Sequence, residues 1–343
     1  MLNRSDTILK YIVEYFVKHA EPVGSHTLIE AYGLPYSSAT IRNEMAMLEK
    51  LGYIEKTHSS SGRVPSAEGY RYYCEHLRDK SLDEAFKYSV QNVFSDRINS
   101  VEEVIKASCE ILSQMTSLVS VVLGPDENQE KLASVQLIPI SENTITAVFV
   151  TDKGYVENKT FIVQDSINAN EVVSCMNMLN ERLKGTPVCQ LADKMNAIEP
   201  VLKDYVVYHD VVYQAMMETF IKFASDRLSL YGRDQIFNNP EFRDDSEKLR
   251  RVFQLLNDAS VFKEDRHDEE EGPSVRIGEV DGNPDVSMVT AKFRMGDNGE
   301  SSITLLGPTR MDYDKAMSAL EYIAEELNKY FDKENKGGNR GDC

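Results

Sequence analysis

Cysteine is scarce in this sequence, and its placement argues against both a disulfide framework and a structural zinc site. The five cysteines are Cys74, Cys109, Cys175, Cys189 and Cys343. Their number is odd, they are far apart, and no CxxC pair occurs. Closely spaced cysteine pairs mark disulfide-stapled domains and structural zinc sites. The sequence therefore predicts neither feature.

Long apolar segments and enzyme motifs are absent as well. No apolar run approaches the roughly 20 residues that span a bilayer. The opening MLNRSDTILKYIVEYFV has helical spacing instead of a signal peptide's continuous apolar segment. GxGxxG, GxxxxGKS/T and GxSxG do not occur, and the His209-Asp210 pair lacks a nucleophile. We expect a cytoplasmic protein that is not an enzyme and that uses no cofactor and no metal.

Charge is unevenly distributed along the chain. The formal net charge is −18, from 38 Lys and Arg against 56 Asp and Glu. Residues 1–80 contain ten of each and are neutral, so the remainder holds all of the excess negative charge. Because an acidic surface is repelled by phosphate, any contact with nucleic acid should come through the first 80 residues. Solubility alone is the other explanation for the acidity.

Three helices are predicted in the first fifty residues. The spacing of apolar residues and the capping residues place them at 5–19, at about 26–31, and from Ser37 or Ser38 to about Leu51. On the third helix, Ile41, Met45 and Leu48 share one face. Asn43 points the opposite way, which leaves a short, polar and uncrowded surface. Such a surface suits a helix that enters the major groove, although a solvated helix face has the same composition.

A β-hairpin is predicted directly after this helix. Residues 53–57 have a strand pattern, 59–62 form a turn, and 63–65 return as an edge strand in which Pro65 is tolerated. Three helices followed by a hairpin make a winged helix-turn-helix. His58 and Arg63 flank the tip of the hairpin, where a wing touches the DNA backbone or minor groove. Either residue can instead serve a hydrogen bond of the turn.

Several of these motifs together resemble the N-terminal domain of the HrcA family. They are PVGS from Pro22, SSATIRNEM from Ser37, LGY from Leu51, HSSSGRVP from His58 and GYR from Gly69. The combination of SSATIRNEM with the HSSSGRVP wing is specific. Thr57, Ser59, Ser61 and Ser66 depart from residues that are common in the family, but they keep similar size or a hydroxyl group.

The resemblance implies a heat-inducible transcription repressor. HrcA proteins bind the CIRCE inverted-repeat operator upstream of chaperone operons as dimers, and the GroEL chaperonin is thought to promote their active form. The residues expected to contact double-stranded DNA are Ser25, Ser37, Ser38, Thr40, Arg42, Asn43, His58, Ser60 and Arg63. The assignment of bases to these residues stays open.

The rest of the chain is predicted to contain strands before and after a helical block. One sheet interrupted by an insertion explains this order, and the resemblance identifies the sheet as a GAF-like α/β domain with an inserted dimerising segment. The predicted fold is therefore α+β and multidomain. The expected parts are a winged helix at 1–78, a helical linker at 79–117, a GAF-like domain at 118–165 and 231–332, a mainly helical insertion at 166–230, and a flexible tail at 333–343.

Dimerisation is expected through one helix of the insertion. Val212, Met216, Phe220 and Phe223 repeat at helical spacing and form a candidate dimer face. An intramolecular core is the alternative for the same four residues.

Two other functions stay open at this point. One is a winged-helix regulator whose GAF-like domain senses a small molecule. The other is an enzyme or interaction module that uses a winged helix for protein contacts.

Overall fold

The structure of the protein is a computed structural model. It describes residues 2–57, 62–95, 101–124, 130–152, 154, 156–163, 168–225, 228–263, 272–294 and 300–337. The chain divides into two compact units. Unit 1 contains Met1–Val121, Leu230–Lys292 and Ser302–Leu327, and unit 2 contains Val122–Ser229, Phe293–Ser301 and Asn328–Cys343. Within the described ranges, no helix is both long and apolar enough to cross a membrane.

Unit 1 begins with three helices and a short hairpin. They are α1 (Arg4–His19), α2 (Ser25–Tyr32), α3 (Ser38–Lys50), β1 (Ile54–Lys56) and β2 (Arg63–Pro65). The two strands pair antiparallel, with Glu55 opposite Val64. The order of helices and strands is the one that the sequence predicted.

Burial of one apolar face of each helix holds these elements together. Helices α1 and α3 pack against each other. Their buried residues are Ile8, Leu9, Ile12 and Val13 on α1 and Ile41, Met45 and Leu48 on α3. Burial stabilises each large aliphatic side chain by about 1.5–3 kcal/mol relative to exposure. This core supports the exposed side of α3.

The hairpin is attached to the segment between α1 and α2. Val23 and Arg63 exchange two backbone hydrogen bonds of 2.9 Å. A Cβ atom on Gly62 would lie 2.8 Å from the Pro22 carbonyl oxygen, so only glycine allows this close approach. The position of the hairpin is therefore fixed by backbone contacts on two sides.

After the hairpin, the chain of unit 1 forms further helices and a five-stranded sheet. After the hairpin come α4 (Ala67–Tyr72), a π-helical turn (Tyr73–Leu77), α5 (Glu84–Ser95) and α6 (Val101–Thr116). The sheet has the order β7-β3-β10-β9-β8, with β3 at Val119–Leu123, β7 at Leu228–Tyr231, β8 at Ser274–Ile277, β9 at Val286–Arg294 and β10 at Glu300–Pro308. The accompanying helices are α10 (Gln235–Asn238), α11 (Pro240–Arg243), α12 (Ser246–Leu256), α13 (Ala259–Lys263) and α14 (Tyr313–Gly337).

Unit 2 consists of a three-stranded antiparallel sheet covered by helices. The strands β4 (Leu132–Pro139), β5 (Thr144–Thr151) and β6 (Val156–Ile162) form a meander with β5 in the middle. Helices α7 (Ala169–Leu183), α8 (Leu191–Leu202) and α9 (His209–Ser225) follow, and α7 and α9 pack on the sheet. The Asn180 side chain accepts a hydrogen bond from the Val135 N–H (2.8 Å) and donates one to its carbonyl (2.7 Å). Helix α7 thus covers part of the outer edge of β4.

The boundary of the insertion differs from the sequence prediction. We expected residues 118–165 to form one sheet with 231–332. Of the strands in that stretch, β3 joins the five-stranded sheet, whereas β4, β5 and β6 form the separate sheet of unit 2. Alternation of apolar residues shows that a strand has one buried face, but it does not show which sheet the strand joins. The segment expected as a linker, 79–117, contributes α5 and α6, which pack together within unit 1.

The predicted dimer face of α9 is buried inside its own chain. Val212 and Met216 are 0% exposed and Phe220 is 1% exposed, all within the core of unit 2. The Phe220 ring packs edge-on against Phe149 of β5, with ring centroids 5.2 Å apart. This burial matches the alternative that the sequence left open, an intramolecular core, because a helical apolar stripe does not specify which surface covers it. The side chain of Phe223 lies outside the described part of the structure.

Candidate nucleic-acid interface

Helix α3 begins at a hydroxyl cap that orders its first turn. The Ser37 side chain accepts a hydrogen bond from the Thr40 N–H at 3.1 Å, and its oxygen lies 2.9 Å from the Thr40 hydroxyl. A capping serine satisfies one of the backbone N–H groups that have no partner in the first turn. Ser37, Arg42 and Asn43 are exposed, and Thr40 is half-buried. The start of α3 therefore presents hydroxyl, guanidinium and amide groups to solvent.

Arg42 is held in place by two serine hydroxyls. Its Nε–H donates to Ser25 Oγ at 3.3 Å, and its Nη2 donates to Ser38 Oγ at 3.1 Å. The two hydroxyl oxygens are themselves 2.8 Å apart. Ser25 is the first residue of α2 and is only 9% exposed, so it belongs to the packed contact between α2 and α3. The network fixes the direction of the Arg42 side chain while the residue stays exposed.

A second contact network holds the N-terminus of α1 against α3. Ser5 Oγ donates to Glu44 Oε2 at 2.6 Å, and Arg4 Nη1 lies 3.5 Å from Glu44 Oε1. The Arg4 guanidinium also lies over the Tyr36 ring, 5.0 Å from its centroid. These contacts orient the chain that leads into α3.

Arg63 has a different position from the one expected of a wing residue. Its Nε and Nη2 donate to Glu49 Oε2 of α3 at 2.9 and 2.7 Å, and its side chain is only 14% exposed. Lys56 of β1 lies 3.5 Å from the other Glu49 oxygen and is largely exposed. Arg63 therefore ties the hairpin to α3. Two further candidates from the sequence, His58 and Ser60, lie outside the described residues.

Glu49 is a residue of the interface that the sequence analysis missed. The hydrogen bonds from Arg63 lower the pKa of its carboxyl group, with a smaller contribution from the charge of Lys56. A carboxylate in the last two turns of α3, shortly before a hairpin that contains Lys56 and Arg63, was the available signal. Glu49 neutralises two cations of the hairpin and fixes the angle between hairpin and helix.

Comparisons with known proteins identify the family of the chain. Residues 102–317 match the family described as HrcA protein C terminal domain. A heat-inducible transcription repressor HrcA from Halalkalibacterium halodurans is 38% identical over 334 residues, covering 96% of this chain and 97% of that protein. The same protein from Bacillus pumilus is 36% identical over 96% of this chain and 97% of its own length.

A solved crystal structure also matches nearly the whole chain. It is that of a hypothetical protein at 2.2 Å resolution, with a TM-score of 0.64, 24% identity and coverage of 97% of this chain and 99% of that chain. At this identity the match shows that the two chains share a fold.

Together, the comparisons place the chain among the transcription repressors, which are not enzymes. More narrowly, the chain belongs to the HrcA family of heat-inducible transcription repressors. The family resemblance that the N-terminal motifs indicated is confirmed.

Proposed function

We propose that this protein represses chaperone operons by binding the CIRCE inverted repeat as a dimer through an N-terminal winged helix, and that heat releases it. GroEL promotes the active form in this proposal, a part that rests on the family resemblance alone. The observation that carries the proposal is the exposed start of α3, where Arg42 is oriented by Ser25 and Ser38. Helix α3 is the recognition helix and the β1–β2 hairpin is the wing.

The side chains on α3 suit the reading of base edges in the major groove. An asparagine amide can form two hydrogen bonds with adenine, and an arginine guanidinium can form two with guanine. Asn43 and Arg42 are the two exposed residues of this kind in the first half of α3. Ser37 and Thr40, at the helix N-terminus, suit contacts with a backbone phosphate. Ser25, Ser38 and Arg63 then position the reading surface instead of touching bases.

A two-fold symmetric dimer suits an inverted repeat, because each half-site meets an identical recognition helix. Linking two heads also raises the effective concentration of the second head once the first has bound. The neutral charge of residues 1–80 makes a single head a weak ligand for DNA. Both arguments favour a dimer as the active species.

The uncovered face of the unit 2 sheet is the surface that we propose for contact with a second copy of the chain. Its cross-strand register places the following uncharged residues on this face: Ser134, Gln136, Ile138, Thr144, Thr146, Val148, Val150, Val156, Asn158, Thr160 and Ile162. Ile162 is 68% exposed and Val156 is 48% exposed. In a chain with a net charge of −18, an uncharged and partly apolar face is where two copies approach without like-charge repulsion.

Charge substitution tests this face. Ile162→Glu should turn the dimer into a monomer and reduce operator affinity to that of a single head. Val207→Glu is the matched control, because Val207 is 70% exposed in the same unit but lies just before α9 and outside the three strands. Sedimentation equilibrium at several concentrations measures the outcome. A dimer that survives Ile162→Glu would refute the assignment of this face.

Operator binding tests the proposal as a whole. The purified protein is titrated against a labelled CIRCE-type repeat and a scrambled duplex at one stated salt concentration, with and without GroEL. Selective binding to the repeat is expected, with a gain on adding GroEL. Equal and salt-sensitive binding to both duplexes would leave a general DNA-binding protein and contradict the proposal.

Heat release is tested with the same assay after warming. The active fraction should fall with temperature and recover when chaperonin is added. Full operator affinity throughout a heat-shock temperature range, with or without chaperonin, would exclude this part of the proposal.

A further inference from the structure

The head (residues 2–78) contacts the later part of unit 1 through a set of polar bonds that we call the junction. We call this later part, which contains the five-stranded sheet with α11 and α14, the sheet region. The junction consists of Tyr73, Arg78, Arg310, Asp314 and Glu321, together with the α1 carbonyl groups that Arg310 contacts. All of these residues belong to unit 1. None of them lies near the proposed reading surface of α3 in sequence.

Arg310 binds the C-terminal end of α1. Its Nη1 donates to the Val17 carbonyl and, at 3.4 Å, to the Phe16 carbonyl, while its Nε pairs with Glu241 of α11. Carbonyl groups in the last turn of a helix carry a partial negative charge, which suits a guanidinium. The Phe16 carbonyl already accepts the Ala20 N–H at 2.9 Å, so Arg310 adds a second donor there and binds the Val17 carbonyl as well. The sheet region thus supplies a cap for the head's first helix.

Arg78 and Tyr73 make two further bonds at the end of the head. Arg78 donates to Glu321 at 3.0 Å and to the Ser318 hydroxyl at 3.3 Å, and its side chain is only 6% exposed. The Tyr73 hydroxyl donates to Asp314 at 2.7 Å. Both acceptor carboxylates belong to α14. Tyr73 begins the π-helical turn Tyr73–Leu77, and Arg78 follows that turn directly.

The contacts restrict how the head can turn. Arg310 holds the end of α1, and Arg78 and Tyr73 hold the end of the head, so rotation of the head breaks at least one of them. An ion pair that is mostly buried is costly to separate, because the partner left behind stays desolvated. These contacts therefore oppose rotation of the head relative to the rest of unit 1.

We propose that Arg310 is a positioning residue that narrows the range of half-site spacings the dimer accepts. The inference rests on the proposed function, since it requires two heads on one inverted repeat. A rigid dimer binds both half-sites at full strength when their spacing matches the distance between its two recognition helices. Heads on loose connections adapt to several spacings and lose preorganisation at the matching one.

The experiment compares Arg310→Ala with the wild type on a panel of duplexes. The panel contains one half-site, the native repeat, and repeats whose spacer is changed by one, two or about five base pairs, the last being half a helical turn. Glu241→Gln is the second variant, because it removes the ion-pair partner of Arg310 and retains its shape. Arg250→Ala is the matched control, since Arg250 is exposed on α12 in the same unit.

The wild type and Arg250→Ala should prefer the native spacing strongly. In Arg310→Ala the preference should fall by about tenfold or more, out of the roughly 10²–10⁴-fold gain that two linked sites provide. Glu241→Gln should also reduce the preference for the native spacing. Affinity for the single half-site should stay within about twofold of wild type, which a general loss of folding would not allow.

Three results separate the inference from the proposed function. An unchanged spacing profile in both variants would overturn the inference and leave the proposed function intact. Parallel losses on the half-site and the repeat would also overturn it, because they indicate a damaged head. If the wild type binds the half-site and the native repeat equally, the proposed function fails, and the inference fails with it.

Discussion

Helices α3 and α9 have similar apolar patterns, but the functions predicted for them rested on different faces: the polar face of α3 and the apolar face of α9. Each has apolar residues recurring every three to four positions, and in each that face is buried within the same chain. On α3 the opposite face stays exposed and holds Arg42 and Asn43. On α9 the apolar face, which includes Phe220, packs on the unit 2 sheet and is no longer available to a partner.

The contrast between α3 and α9 shows that the sequence identifies the function of an exposed polar face more directly than that of an apolar face. Polar residues opposite a buried stripe face solvent or a polar partner, because burying them without partners is costly. An apolar stripe on a helix packs against whichever apolar surface the fold brings to it, and the stripe alone does not identify that surface. The predictions below test this contrast between α3 and α9, starting with the largest expected effect.

Truncation of Phe220 should destabilise the protein strongly. Phe220→Ala removes a buried ring that contacts Phe149, and such changes cost about 3–5 kcal/mol. Chemical denaturation monitored by circular dichroism measures the effect. Val207→Ala, at a position 70% exposed, is the control and should change stability by less than about 0.5 kcal/mol. A Phe220→Ala protein with wild-type stability that has lost only its dimer would restore α9 as the interface and break the contrast.

Truncation of Asn43 should have little effect on the stability of the protein and a clear effect on its affinity for DNA. We expect Asn43→Ala to weaken operator binding by about 1–3 kcal/mol and to relax discrimination at one base pair. Asn92→Ala, at an exposed position of α5, is the matched control. Competition between operator and scrambled duplexes gives the readout. Unchanged discrimination in Asn43→Ala would remove this residue from the reading surface.

The parts of the fold that the sequence predicted are those determined by local signals. Helices α1 to α3 and the hairpin follow one another with capping and turn residues, and SSATIRNEM and HSSSGRVP indicate the family directly. The placement of β4 to β6 in a separate sheet depends on contacts between distant segments. Alternation within each strand carries no information about those contacts.

The same distinction applies within the candidate site. That Arg42 and Asn43 are exposed follows from the period of α3 alone. The anchoring of Arg42 by Ser25, and of Arg63 by Glu49, requires residues 17 and 14 positions apart to meet. Hydroxyl and carboxylate groups have many potential partners, so the sequence could not select these pairs.

Removal of the Ser25 hydroxyl should have a smaller effect than removal of Asn43. Ser25→Ala deletes one of the two acceptors that hold Arg42, and a hydrogen bond to a charged group contributes about 1.5–3 kcal/mol at most. Because Ser38 still holds the guanidinium, we expect about 1 kcal/mol of operator affinity to be lost. Ser95→Ala on α5 is the control, since that hydroxyl donates to the Gln91 carbonyl of its own helix. An equal loss on scrambled DNA would argue against a role in orienting Arg42.

The smallest expected effect is a pH-dependent loss of stability at Glu49 of α3, which the loss at Phe220 of α9 should not show. Hydrogen bonds from Arg63 lower the pKa of Glu49, so their contribution to stability is present above the ordinary Glu range and is lost as the pH falls through the lowered value. The pair is partly exposed, and its contribution is below about 1 kcal/mol. Glu49→Gln should therefore be destabilising at pH 7, and the difference from wild type should shrink in acid.

The loss in Phe220→Ala should show no such trend, because its cause is a cavity and not a charge. Denaturation curves of the three proteins at several pH values provide the test. A Glu49→Gln difference that stays constant with pH would show that the hairpin is held to α3 by packing instead of by this ion pair.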